Sequence, residues 1–506
     1  MKLFVGRQIR GPGFLRRWEL IRRMLIVPIL AVVVLDAAKW CSPDGAPPQP
    51  IEAFVLSLYS LETMREGKVR ILHFGDSHIA SDNESSIVRS SLQSRFGDGG
   101  PGLVLPWRGP RLYTVNFTYG NSYGWQRSHP SYSSPIEDTG LSLAYIEAQS
   151  PNQLAWIDAT GSEFRVDYLT QPGGGEAEFL LDGKFLGRRS MSAGVPHVEV
   201  ARFLAPGPET LHRFEIRTLD SGLVRILGVS VEKAAPGVVY SPLGMVGARA
   251  EYLLKCRDES FAAQIAAEHP DLIILGYGTN ESSGSYLDVN AYESALSMIL
   301  LRIHRAAPGA LVILLTPPDR GDSNPGQEQR IQRLLQGVME AQRDVAWRDG
   351  AILMDLHAAM GGAGSAAHWA ALQPPLARPD MTHFTNQGYS LLGRFIAGGI
   401  MKLYDSGPDA VDSSSPEASG HPGVILPPLY PELTSSTNLP PGPGGGGSPG
   451  SSSSPQIYYF LRADGQVVVT NDVSIIDDRQ GRLISAEEAG CLLRRKATPC
   501  DNTQRW

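Results

Sequence analysis

Cysteine is scarce in this chain, four residues in 506, so no disulfide framework can stand in for a hydrophobic core. No Cys/His cluster has metal-ligand spacing, and neither a metal nor a cofactor is expected. Charge of one sign is also missing. The formal net charge of -7 comes with no basic face, which excludes an electrostatic footprint for nucleic acid. Long apolar runs are absent except near the N-terminus, and the length exceeds the usual size of one core, so several domains are expected.

The N-terminal exception has a definite form. Lys2, Arg7, Arg10, Arg16, Arg17, Arg22 and Arg23 are opposed only by Glu19, and "MLIVPILAVVV" (Met24 to Val34) follows at once. This is an n-region followed by an h-region. The run is shorter than the roughly 20 residues of a comfortable span, but extension past Asp36 brings it into range. No good Ala-x-Ala site follows. Residues 1–41 are therefore expected to form an uncleaved signal anchor in the inner membrane, with a cleaved signal peptide as the alternative. The positive-inside rule then places the rest of the chain in the cell envelope, on the periplasmic or extracytoplasmic side.

Beyond a spacer at Ser42 to Pro50, short apolar runs recur: "KVRILHF", "DLIILGYG", "ALVILLTPP" and "AILMDL". Helical stretches such as Ala291 to Ala306 and Gln327 to Trp347 separate them. Strands alternating with helices predict a parallel sheet covered on both faces, an α/β three-layer domain over 51–109 and 236–404. From 110 to 235 the rhythm changes to short alternating strands such as "SEFRVDYL" and "LHRFEIRTL". Asp182-Gly183 within "EAEFLLDGKFLG" is a hairpin signal. An inserted all-β, jelly-roll-like module is expected there. Tyr123, Trp125, Tyr132 and Trp156 could give it a sugar-stacking platform, with core packing the better expectation for any single ring. Residues 405–455 are Pro-, Gly- and Ser-rich and read as a tether. A small β module is expected over 456–506, with strands around Ala463-Asp464-Gly465 and a bridge between Cys491 and Cys500.

The chemistry centres on "ILHFGDSHIASD" (Ile71 to Asp82). A hydrolytic serine must stand at a strand end, in a sharp turn into a helix, where backbone N–H groups can meet a developing oxyanion. Ser77 has that order of strand, glycine turn and helix, although a strand ending in a helix cap looks the same. Three distant segments supply partners. "GMVGARA" puts Gly247 in a turn, "LGYGTNES" puts Asn280 just past a buried strand, and "RPDMTHFTNQGY" puts Asp380 and His383 three residues apart. All three converge on the rim where open α/β sheets bind ligands.

This ordered set resembles the SGNH, or GDSL-type, hydrolase superfamily: Ser77 in the first block, Gly247 in the second, Asn280 in the third, Asp380-x-x-His383 in the fifth. The resemblance implies that Ser77 attacks an ester carbonyl, His383 moves the proton and Asp380 orients His383. It implies an oxyanion hole made by the backbone N–H groups of Ser77 and Gly247 and the amide of Asn280. "LHFGDSHIASD", "GYGTNES", "TPPDR" and "ARPDMTHFTNQGYSLLG" are most similar to bacterial peptidoglycan O-acetylesterases, in which a carbohydrate-binding-like β module interrupts the hydrolase domain. An O-acetylated polysaccharide substrate is the expectation. Transfer of the acyl group to another glycan hydroxyl, and non-catalytic glycan binding, are the alternatives.

Two local pairs compete with that set. His78 adjoins Ser77, but neighbours on a helix start do not face each other, so His78 is expected at the helix start or the substrate edge. Asp355 and His357 are expected to be a polar pair at a strand end.

Overall fold

The structure is a computed structural model, and it describes residues 50–107, 117–131, 134–207, 209–322, 325–406, 458–462, 467–470 and 481–484. Among these no helix is long and apolar enough to cross a membrane. The expected anchor, the tether and the Cys491–Cys500 pair lie outside them, as does Tyr132. Two compact units divide the chain at Ser435/Ser436.

A six-stranded parallel sheet organises the first unit, with edge-to-edge order Ile352–Met354, Leu311–Leu315, Leu272–Gly276, Lys68–Gly75, Gly237–Gly244, Asp98–Gly100. Its strands read as continuous apolar runs because both faces are covered. Alternate side chains divide between two cores. Ile71, Leu272, Ile274 and Ile313 meet helices Pro50–Tyr59, Asn83–Phe96 and Asn386–Ser406. Leu72, Phe74, Ile273, Leu275 and Val312 meet helices Asp258–Glu268, Val289–Ala306 and Glu328–Asp349.

Between the first strand and its partner Gly237–Gly244, the chain builds two antiparallel sheets. One has the order Lys184–Ser190, Glu176–Leu181, Leu211–Thr218, Leu154–Thr160, Phe117–Asn121. The other runs His197–Leu204, Glu163–Thr170, Val224–Glu232, Tyr145–Ala148, Gln126–Ser128, with Gly102–Val104 also paired to Val224–Glu232. Antiparallel pairing thus begins at Gly102, ahead of the expected boundary at 110, because Gly102–Val104 is too short to carry an alternation signal of its own. Both sheets feed one apolar core in which Phe164 stacks on Phe214 at 5.0 Å. Asp182 and Gly183 form the hairpin turn with φ of +51° and +74°, the left-handed pair that a two-residue hairpin of matching twist requires. Trp125 is buried in this core, Trp156 is half-buried beneath the Arg213 guanidinium, and Tyr123 is exposed.

Sandwich and α/β domain are tied by buried charge. Arg165 forms an ion pair with Glu268 and donates to Ala267 O at 3.0 Å, and exposed Arg257 donates to buried Asp138 at 3.0 Å. In the second unit, Tyr458–Arg462 is the central strand between Val467–Thr470 and Gly481–Ile484, all antiparallel.

Candidate active site

Register builds the site. Gly75, Gly244 and Gly276 end three neighbouring strands and lie side by side, Gly75 being paired to both of the others. Each is followed within four residues by one of the expected groups: Ser77, Gly247 and Asn280. The glycines are required by close approach. A Cβ on Gly75 would stand 2.3 Å from Ile79 Cγ1, and one on Gly244 would stand 2.1 Å from the Ala80 nitrogen. Only bare backbone lets the helix start that bears Ser77 sit between these strand ends.

Ser77 opens the short helix Ser77–Ala80, and Asp76 caps it by accepting from the His78 N–H at 3.0 Å. Being the first helical residue, Ser77 has an N–H without an intrahelical acceptor. Its hydroxyl lies 3.0 Å from His383 Nε2, a contact spanning 306 positions. On the other side of the ring, His383 Nδ1 lies 2.8 Å from Asp380 Oδ2. The backbone N–H groups of Thr382 and His383 both donate to Asp380 Oδ1, at 3.1 and 2.9 Å. Partial burial opposes the Asp380 charge, but these hydrogen bonds outweigh it and hold the carboxyl below its usual range. An ionised Asp380 fixes the proton on Nδ1 and leaves Nε2 free to accept from the serine.

The two other arms stand beside Ser77. Gly247 has φ +74° in an open turn, and its N–H has no partner among the described residues. Asn280 Nδ2 donates to Ala248 O at 2.8 Å and lies 3.4 Å from Asp76 Oδ2. One amide hydrogen thus anchors Asn280 to the Gly247 loop, and the other is only weakly engaged. Glu281 reinforces the link by accepting from the Ala250 N–H at 2.7 Å, and burial pushes its carboxyl up to about 7. The sequence motifs left Glu281 and Arg320 without a role; the polar residues crowded behind buried strands in "GYGTNES" and "TPPDR" were the available signal.

His78 is at the helix start but not at a substrate edge. It is buried, with Nδ1 3.0 Å from the Tyr389 hydroxyl, and burial pushes it below the usual histidine range. Its ring packs 5.7 Å from that of His383, so it supports the triad as a neutral wall. Asp82 pairs with buried Arg89 at 2.9 Å. Asp355 and His357 do not form the expected pair. Asp355 caps the helix Leu356–Met360 through the Ala358 N–H, whereas His357 Nε2 faces Asp319 at 3.5 Å. Helical turning, invisible in the apolar run before it, separates the two. Among the described residues no group of three His, Cys, Asp or Glu side chains could hold a metal ion.

A serine, a histidine and an aspartate in hydrogen-bonded series at the carboxyl edge of a parallel sheet, flanked by open donors, define the class of serine hydrolases. Residues 218–391 match the family model described as GDSL-like lipase/acylhydrolase, so this stretch of the chain is similar to SGNH, GDSL-type hydrolases. That match takes in Gly247, Asn280, Asp380 and His383 but begins after Ser77. Among solved structures, a peptidoglycan O-acetylesterase is similar over 70% of this chain and 96% of its own, at 24% identity and a TM-score of 0.59. A family two carbohydrate esterase from Clostridium thermocellum, in complex with cellohexaose, overlaps 56% of this chain and 99% of its own, at 12% identity and a TM-score of only 0.26. No curated protein matches the chain.

Proposed function

We propose that this protein removes O-acetyl groups from cell-wall polysaccharide, with peptidoglycan as the substrate and Ser77 as the nucleophile. The observation that carries the chemistry is the unbroken series from Ser77 Oγ through His383 to Asp380 at 3.0 and 2.8 Å. The substrate is argued from architecture: the likeness to a peptidoglycan O-acetylesterase spans nearly all of that protein.

In the first step Ser77 Oγ attacks the acetyl carbonyl while its proton passes to His383 Nε2. Charge developing on the carbonyl oxygen is met by the N–H groups of Ser77 and Gly247 and by the less engaged hydrogen of Asn280. His383 then returns the proton to the departing sugar oxygen, releasing the glycan hydroxyl and leaving acetyl-Ser77. Water, deprotonated by His383, attacks the acyl-enzyme; His383 then gives that proton to Ser77 Oγ as the acyl–oxygen bond breaks, releasing acetate and restoring the serine. About a third of the His383 side chain and half of Asp380 are exposed, which suits a bulky polymer and gives water access for the second step. With a glycan hydroxyl in place of water, the same site would be an O-acyltransferase. The N-terminal anchor, if inserted, would hold the catalytic unit on the envelope side of the inner membrane.

The test is acetate release from O-acetylated peptidoglycan and from an aryl acetate, comparing wild type with Ser77→Ala. A loss of roughly three to six orders of magnitude in the variant is expected. Equal activity in the variant would reject Ser77 as nucleophile; activity on the aryl ester alone would move the substrate away from peptidoglycan, and acetyl appearing on an added glycan would make the protein a transferase.

A further inference from the structure

Arg320 occupies the catalytic rim without the carboxylate that a half-buried arginine ordinarily has. Leu315, the last residue of its strand, is paired with Gly276, and five residues on Arg320 stands beside the Asn280 arm, donating to Thr279 O at 3.1 Å. The next N–H, that of Gly321, donates to Met381 O at 2.8 Å. One loop is thus stitched to both arms, the one bearing Asn280 and the one bearing Asp380 and His383. The charges of Asp322, Asp380 and Asp76 all act on the guanidinium, although burial still pulls it below the usual arginine range.

Arginine offers five donors in a planar fork. Thr279 O takes one of them, Nε is buried without a partner, and no carboxylate comes within ion-pair distance of Arg320 among the described residues. Arg89 has Asp82, Arg165 has Glu268, Arg225 has Glu147 and Arg70 has Glu232; among the described residues, half-buried Arg127 and Arg330 share with Arg320 an unpartnered Nε and no ion pair, but of these three only Arg320 lies on a loop bonded to both the Asn280 arm and the His383 arm. Anchoring the loop through Thr279 O needs only a neutral donor. A guanidinium held there by Nη1, with no bond made at its Nη2 end among the described residues, suits a planar anion brought in by the ligand.

We propose that Arg320 is the receptor for a carboxylate carried by the glycan close to the scissile ester, so that the site selects esters of acidic sugars over neutral ones. This rests on the esterase reading above and adds the substrate's charge: within peptidoglycan the ester would be on a muramyl residue whose lactyl carboxyl carries no stem peptide, because the peptide's amide bond removes that charge. Arg320 touches the glycan, not the reacting atoms, and is therefore a specificity residue.

The experiment compares 6-O-acetyl-N-acetylmuramic acid with the methyl amide of its lactyl carboxyl, two esters that differ chiefly in one negative charge. For the full wild-type chain, kcat/KM should favour the acid by about tenfold to a hundredfold, the range of a hydrogen bond to a charged group. Arg320→Gln should collapse that ratio towards one, and Arg320→Lys should keep part of it. A ratio unchanged in Arg320→Gln, or absent in wild type, overturns the proposal; so does an equal fall on both esters, which would mean that Arg320 orients the triad. Binding by calorimetry supplies an arm independent of catalysis and of how the variants fold. N-acetylmuramic acid should bind the wild-type chain more tightly than its neutral amide, and equal affinities overturn the proposal. Wild type inert on both esters and on aryl acetate, yet selective in binding, would instead sink the esterase reading and leave Arg320 as an anion receptor.

Discussion

Asp380 shows how much one carboxylate can decide at an exposed site. It takes two backbone N–H groups on one oxygen and the His383 ring on the other, so replacing it with asparagine keeps the shape and inverts the demand on the ring tautomer. Asp380→Asn is expected to lower kcat by roughly two to four orders of magnitude with little change in melting temperature. Steady-state kinetics beside a thermal melt would check both halves. Glu84 is the opposite case, a carboxyl taken from water with no cation to hold it. Burial, with the Asp76 charge adding to it, pushes Glu84 up to about 8. An unfolded glutamate ionises near pH 4.3, so between about 4 and 8 the unfolded chain binds fewer protons than the folded one. The contribution of Glu84 to stability is therefore fully present at low pH and is lost as pH rises through about 8. Glu84→Gln should be more stable than wild type at pH 8 and close to it near pH 4.5. Denaturation midpoints at the two pH values decide the point; a gap that does not widen with pH would reject it.

At the scale of elements, the site depends on three strand ends meeting a short helix. Gly244 and Gly276 occupy equivalent register positions on either side of Gly75, yet their surroundings differ. A Cβ on Gly244 would lie 2.1 Å from the Ala80 backbone nitrogen, whereas one on Gly276 would find its nearest neighbour at 3.3 Å, His73 Nε2. Gly244→Ala must push the Ser77 turn away from the sheet, and is expected to cost about 1–3 kcal/mol and most of the activity. Gly276→Ala should be tolerated far better. Denaturant melts and aryl acetate turnover for the two variants make the comparison, and similar outcomes would count against the argument.

Across the whole molecule, the sandwich is bolted to the α/β domain by the Arg165–Glu268 ion pair, both partners nearly fully buried. Removing the cation leaves Glu268 buried without its partner. Arg165→Met is expected to cost roughly 3–5 kcal/mol, seen as a fall in the denaturation midpoint, with turnover on a small ester intact below the transition. At this scale the chain was readable in outline. Alternating apolar runs and helices announced the parallel sheet, and Asp182-Gly183 announced its hairpin, because these are short-range patterns. Gly102–Val104 was not readable as part of the sandwich, since three residues carry no period.

Legible in the sequence are the roster and order of the candidate site: Ser77 in a strand–glycine–helix turn, then Gly247, Asn280, Asp380 and His383, each beside a signal a few residues long. Tertiary structure alone decided how they meet. The parallel register aligns Gly75 with Gly244 and Gly276, turns His78 away into a buried bond with Tyr389, parts His357 from Asp355, and brings Arg320 to the rim. The physical reason is range. Turn chemistry and side-chain periodicity act over a handful of residues, whereas register and burial come from packing between segments as far apart as the 306 positions separating Ser77 from His383.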